Sequence, residues 1–272
     1  MKKYTIGFNT KPDKEPETDI PMEICKGVTN PKKSVVQVYF PHRGTGWAYY
    51  NDQFDLKVGD YVYVEGKLEG YRGQVTEVNY SFKIKLSDYK KVIAVIDTNV
   101  VGDVYLAGSH VVSFDKNALP FSKVRTWYNA PGNEEDYEIG NDDSFSFPLD
   151  DLTKMNVSHA VASCGGNYYA ENRVVFIEVN GAIGRAIVEG SENYEIEFNY
   201  SEGEISNLKC SCFCGYTCKH EFAAMLQLQE SLKLISENYE NQYSDYFAII
   251  SKHEFMNMVM SKKSSGKITL GA

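Results

Sequence analysis

Four cysteines fall within nine residues, Cys210, Cys212, Cys214 and Cys218, and His220 follows two positions later. Six cysteines spread through a secreted chain would suggest a disulfide framework, but four thiols and an imidazole crowded together are metal donors. In an extended segment residues i and i+2 project to the same side, so Cys210 and Cys212 present both sulfurs to one point. Cys218 and His220 cannot face the same way inside a helix, so the spacing predicts a helix that starts around Cys218 with His220 in its first turn. Two thiolates from a strand, with a thiolate and an imidazole from a helix entrance, satisfy a tetrahedral zinc ion.

There are five donors for four positions. Cys212 and Cys214 form a second Cys-x-Cys pair, but that choice leaves only Gly215, Tyr216 and Thr217 to span the site. The expected zinc ligands are therefore Cys210, Cys212, Cys218 and His220, with Cys214 a bystander, a supporting thiol or an alternate ligand. No position remains for water and no acid is spaced to act as a base, so the expected role is structural rather than hydrolytic.

The rest of the chain reads as α+β, mostly β. Twenty Tyr and 14 Phe among 272 residues favour strands. Residues 1–34 read as a lead-in, with four prolines and alternating charges in its later part. Over 35–100, short β-rich runs such as VVQVYF, DYVYVEG and YKKVIAVID recur between turn residues, which predicts a small barrel or sandwich. Alternation places Val62 and Val64 on its core face and Tyr61 and Tyr63 on the other. Residues 101–145, ending in an acidic, turn-rich stretch, read as an irregular connector. In 146–272, RVVFIEVNG, AIGRAIVEG and NYEIEFNY are three strands, the first two joined by an Asn180-Gly181 hairpin. An amphipathic helix follows the cysteines, and Ser251 with Glu254 forms the capping box of another before a loose basic tail.

Gly190-Ser191, Tyr194 and then ISNLKCSCFCGYTCKHEFAAMLQL resemble a SWIM zinc finger, whose pattern is Cys-x-Cys, a spacer and Cys-x-His. The resemblance covers residues 174–235 and implies a β-hairpin supplying the first two ligands, here Cys210 and Cys212, and a helix start supplying Cys218 and His220. This copy departs from the pattern in its five-residue spacer and in the extra Cys214. Such fingers occur in proteins associated with Swi/Snf-type ATPases, in Mutator-type transposases and in recombination accessory proteins. The implied partners are DNA or a protein such as a helicase-type ATPase. More faintly, Gly59-Asp60, Val62, Val64, Gly73 and Val75 resemble the small barrel of primosomal replication-restart helicases, which implies an SH3-like fold.

Net charge is −9, divided as 18 Lys/Arg against 15 Asp/Glu over residues 1–130 and 10 against 22 over 131–272, so only the first half can attract polyanions. There His42, Arg43, Trp47, Tyr49 and Tyr50 interleave cations and aromatics beside a glycine-containing loop, a composition suited to stacking bases. By alternation Trp47 and Tyr49 share one face and Tyr50 takes the other, so only one set can bind. Arg72, Lys83 and Lys85, with Lys90 and Lys91, form a stripe that either extends that surface or protects a sheet edge. Asp142, Asp143, Asp150 and Asp151 read as solvated linker, and neither a phosphate-binding loop nor a nucleophile elbow is present. With no membrane-length apolar run and no signal-peptide core, the expectation is a cytoplasmic, non-catalytic, zinc-binding nucleic-acid accessory protein. The alternative is a zinc-stabilised protein-docking module.

Overall fold

The computed structural model describes residues 4–8, 31–132, 145–212, 214–260 and 264–270. Strand (40%) outweighs helix (25%), so the fold is α+β and mostly β. In chain order the early strands are β1 (Tyr4–Phe8), β2 (Ser34–Phe40), β3 (Thr45–Asn51), β4 (Tyr61–Val64), β5 (Gly73–Asn79) and β6 (Val92–Val95). Then come β7 (Val101–Ala107), β8 (His110–Ser113), α1 (Phe121–Tyr128), β9 (Ser146–Pro148) and α2 (His159–Ala170). The last part holds β10 (Val174–Asn180), β11 (Ile183–Glu189), β12 (Asn193–Ser201), β13 (Glu204–Cys210) and α3 (Lys219–Tyr239). It ends with β14 (Tyr246–Ser251), α4 (Lys252–Val259) and β15 (Ser265–Leu270). No helix among the described residues is long and apolar enough to cross a membrane.

The described residues divide into two compact units, one built around residues 31–98 with 126–132, the other taking the remainder. The smaller unit is a five-stranded sheet in the order β3-β2-β5-β4-β6. A bridge from Tyr50 to Lys91 and a Tyr50 N–H bond to the Lys90 carbonyl (2.9 Å) join its outer strands. Alternation along the strands buries Val36, Val38, Phe40, Val62, Val64 and Val75 in one core. The face that carries Tyr61 and Tyr63 is covered as well. Tyr63 is buried with its hydroxyl 3.4 Å from the Trp127 carbonyl, and the Tyr61 ring packs edge-on against Trp127 at 4.9 Å.

The larger unit is a ten-stranded sheet, β1-β15-β7-β8-β14-β10-β11-β12-β13-β9. Its middle strands are antiparallel neighbours, and β15 joins β7 in parallel. The Asn180-Gly181 hairpin is present, with Gly181 at φ +60, a conformation that costs glycine nothing. One face is covered by α3, whose Ala224, Met225 and Leu228 pack with Ile177, Ile196 and Phe198.

Three expectations are corrected. The 101–145 segment is not an irregular connector over its described part, because β7 and β8 enter the large sheet with Val104, Val111 and Val112 in the core. Its acidic stretch, 133–144, lies outside the described residues. The 1–34 lead-in contains β1, which pairs with β15 in the tail that was expected to be loose. Such pairing joins opposite ends of the chain and leaves no local period. The rest of the lead-in, 9–30, lies outside the described residues. Finally, α2 has no clear signature in the sequence, since Gly165 and Gly166 weaken its propensity. Gly165 is where α2 meets α3: a Cβ there would lie 2.8 Å from the Lys219 carbonyl and 2.9 Å from Phe222.

Candidate metal centre

The site lies where β13 ends and α3 begins. Register with β12 places Cys210 opposite Ile196, and the ladder runs one residue further through the Ser211 N–H to the Glu195 carbonyl (2.8 Å). The Ser211 hydroxyl accepts from the Glu195 N–H at 3.0 Å, so Cys212 leaves a fixed strand end. On the helix side Cys218 is the N-cap of α3. Its sulfur accepts from the Glu221 N–H, and its own N–H donates to the Glu221 carboxylate at 2.6 Å, a reciprocal capping box with sulfur in the serine position. His220 then occupies the first turn.

These elements gather Cys210, Cys212, Cys218 and His220 so that their donor atoms all lie within 4.8 Å of one another. His220 Nδ1 faces the sulfurs, 3.8 Å from Cys210 Sγ and 3.7 Å from Cys218 Sγ. A tetrahedral zinc with ordinary Zn–S and Zn–N bonds has S···N edges of about 3.6 Å, so the spacing fits such an ion. Cys218 and His220 are buried, Cys210 and Cys212 half-buried, and Cys214 is exposed and outside the cluster. Of the five donors, the four gathered are the set with Cys210.

Electrostatics agree with a cation site. A hydrogen bond from the Cys210 thiol, with another from His220, holds the Cys218 pKa down to about 3. Its partner Cys210 is raised by that shared bond and by burial, while burial pushes Cys212 up to about 12. Burial and the neighbouring Cys218 charge push Glu221 up to about 8. Three thiols packed together cannot all ionise unaided, and a divalent cation is the group that favours all three thiolates at once. The donor set can hold a metal ion.

Two tyrosines that spacing alone did not assign to the site fix the imidazole. Tyr194 of β12 stacks on the His220 ring at 4.0 Å and 19°, and Tyr168 of α2 meets its edge at 5.4 Å. Tyr194 had a trace in the sequence, as part of the finger-like pattern. Tyr168 had none, because α2 itself was not legible.

The residues expected to contact nucleic acid are less concentrated. His42 and Arg43 are exposed on a single turn, Pro41–Arg43, and Arg43 donates to the Tyr71 hydroxyl (2.8 Å) with its guanidinium 4.8 Å from that ring. Tyr71 was not singled out from the sequence, being 28 residues away. Trp47 is 58% exposed, whereas Tyr49 and Tyr50 are both buried, so Trp47 is the accessible aromatic of that run. Arg72 is half-buried, with its guanidinium 3.6 Å over the Trp127 ring and a 2.7 Å bond to the Trp127 carbonyl, which ties it to the core. Lys83 and Lys85 are exposed on the irregular segment after β5 rather than on a strand, and Lys85 lies 3.9 Å from Asp88. No protein-family model, curated protein or solved structure matches the chain.

Proposed function

We propose that this is a zinc-stabilised, non-catalytic nucleic-acid-binding accessory protein, resembling SWIM finger proteins in its larger unit and using an SH3-like barrel as its binding module. The metal is structural: four protein donors complete its coordination and pin the end of β13 to the start of α3. Nucleic-acid contact falls to the smaller unit. The observation that carries this is that His42, Arg43 and Trp47 are exposed on one hairpin and Arg43 is hydrogen-bonded to the exposed Tyr71, which offers a cation to a phosphate and flat rings to an unpaired base. Lys83 and Lys85 add positive charge, and Arg72 serves the fold instead. The natural ligand of such a surface is single-stranded.

One observation favours a second reading, a protein-docking zinc module. Residues 174–235 hold nine Asp/Glu and four Lys/Arg, so the finger itself repels phosphate.

Fluorescence anisotropy of labelled single- and double-stranded DNA against the zinc-loaded protein, at several salt concentrations, separates the two. Binding of the single strand that weakens steeply with salt supports the first reading. Absence of binding, or binding indifferent to salt, refutes it and leaves the docking module.

A further inference from the structure

Cys214 is the thiol of the cysteine run that the donor set leaves out, yet it is not remote from that set. β13 ends at Cys210 and the chain bends at Ser211 and Cys212. The Cys214 N–H donates to the Cys212 sulfur, and the two side chains share a further hydrogen bond. Along extended chain, Cα atoms two residues apart are separated by about 7 Å, and a bend shortens that distance into the range of about 4.4–6.8 Å that a disulfide spans. Touching sulfurs on a bent Cys-x-Cys segment can therefore be bonded with little movement of the backbone.

Accessibility orders the thiols. Cys214 is exposed and Cys212 half-buried, whereas Cys218 is 2% exposed and caps α3. An oxidant in solution reaches Cys214 first, and its sulfur, outside the donor set, has its electron pairs available. The sulfur it touches belongs to a ligand. Joining the two takes Cys212 out of the cluster and leaves Cys210, Cys218 and His220 as an incomplete donor set, which holds zinc more weakly.

We propose that Cys214 and Cys212 are a peroxide-sensitive pair whose disulfide opens the metal centre. This rests on the reading of the cluster as a zinc site. The Cys214 thiolate attacks a hydroperoxide: an S–O bond forms, the O–O bond breaks, and Cys214 becomes a sulfenic acid as hydroxide or alkoxide leaves. The Cys212 thiolate then attacks that sulfur: the S–S bond forms, the S–O bond breaks, and hydroxide leaves. Two electrons pass from the pair of sulfurs to the peroxide, and both oxygens depart to be protonated by solvent. The consequence is regulatory, because the same four donors pin the end of β13 to the start of α3.

The test uses the full zinc-loaded chain carrying Cys25→Ser and Cys164→Ser, so that only the thiols of the run remain. Hydrogen peroxide is added, zinc release is followed with a colorimetric chelator, and non-reducing tandem mass spectrometry locates any disulfide. The expected result is zinc loss in step with a Cys212–Cys214 bond, both reversed by dithiothreitol and added zinc. Cys214→Ser keeps the four ligands and is expected to slow peroxide-driven release about tenfold, since Cys212 then has no neighbouring sulfenic acid to attack. A bond between Cys210 and Cys218 instead, release as fast in Cys214→Ser as in its parent, or a Cys212–Cys214 bond that leaves zinc in place overturns the proposal. Zinc content before oxidation tests the metal reading separately: a chain that holds none refutes that reading and the proposal with it, whereas zinc present at the start and unmoved by peroxide refutes the pair alone.

Discussion

His220 is held with Nδ1 toward two sulfurs, and that orientation depends on Cys218 capping the helix from which His220 projects. Cys218 is thus both ligand and cap, and Cys218→Ser is expected to lose metal and helical signal together, read by bound zinc and far-ultraviolet circular dichroism. Cys214→Ser, which alters an exposed thiol outside the cluster, is expected to keep full zinc occupancy; loss of metal there would reassign the ligands. The arginines of the smaller unit separate in the same way. Arg43→Ala is expected to weaken single-stranded DNA binding and flatten its salt slope by about one counterion, with stability unchanged. Arg72→Ala is expected to destabilise by about 2 kcal/mol in urea, because it removes the contact over Trp127 and the bond to its carbonyl. At this scale Arg43 and Arg72 look alike in the sequence, and only the position of Trp127, 55 residues beyond Arg72, tells them apart.

Among the elements, the α2–α3 contact decides where the helical half of the metal centre sits. Gly165→Ala would favour an isolated helix by about 1 kcal/mol, yet here its methyl meets backbone and Phe222 at under 3 Å. The net expectation is a loss of about 1–3 kcal/mol with weaker zinc retention, measured by urea melts and competition with a colorimetric chelator. Another device holds β8 to β10 across the intervening β14: His110 Nε2 donates to the Val174 carbonyl (2.7 Å) while Nδ1 accepts from the Ser109 hydroxyl. Burial lowers the His110 pKa, so the unfolded chain binds its proton more readily. Its contribution is present above the ordinary histidine value of about 6.5 and is lost as pH falls below it. Urea midpoints at saturating zinc should therefore drop between neutral and mildly acidic pH, by less in His110→Gln than in the parent. The hairpin, the helix after the cysteines and the Ser251 cap of α4 were legible, because each is signalled within a few residues. The short α2 was not, since its two glycines contradict the helix that packing imposes.

For the molecule as a whole, each unit has a core of its own, and the metal ligands belong to one of them. Calorimetry with and without a strong chelator is expected to show two transitions, with chelation lowering that of the larger unit and leaving the smaller unit's in place. A single transition moved as one, or no response, would contradict this. The mostly-β class, the strands of the five-stranded sheet and the four zinc-type donors follow from local chemistry: alternation, turn residues and a nine-residue cysteine spacing. The tyrosines that clamp His220 and the burial of Tyr49, Tyr50 and Tyr63 came only with the tertiary structure. So did the pairing of β1 with β15. The division has one cause. Periodicity and spacing act between neighbours in the chain, whereas these outcomes depend on which distant strands and helices meet, and that is set by the packing of the whole core.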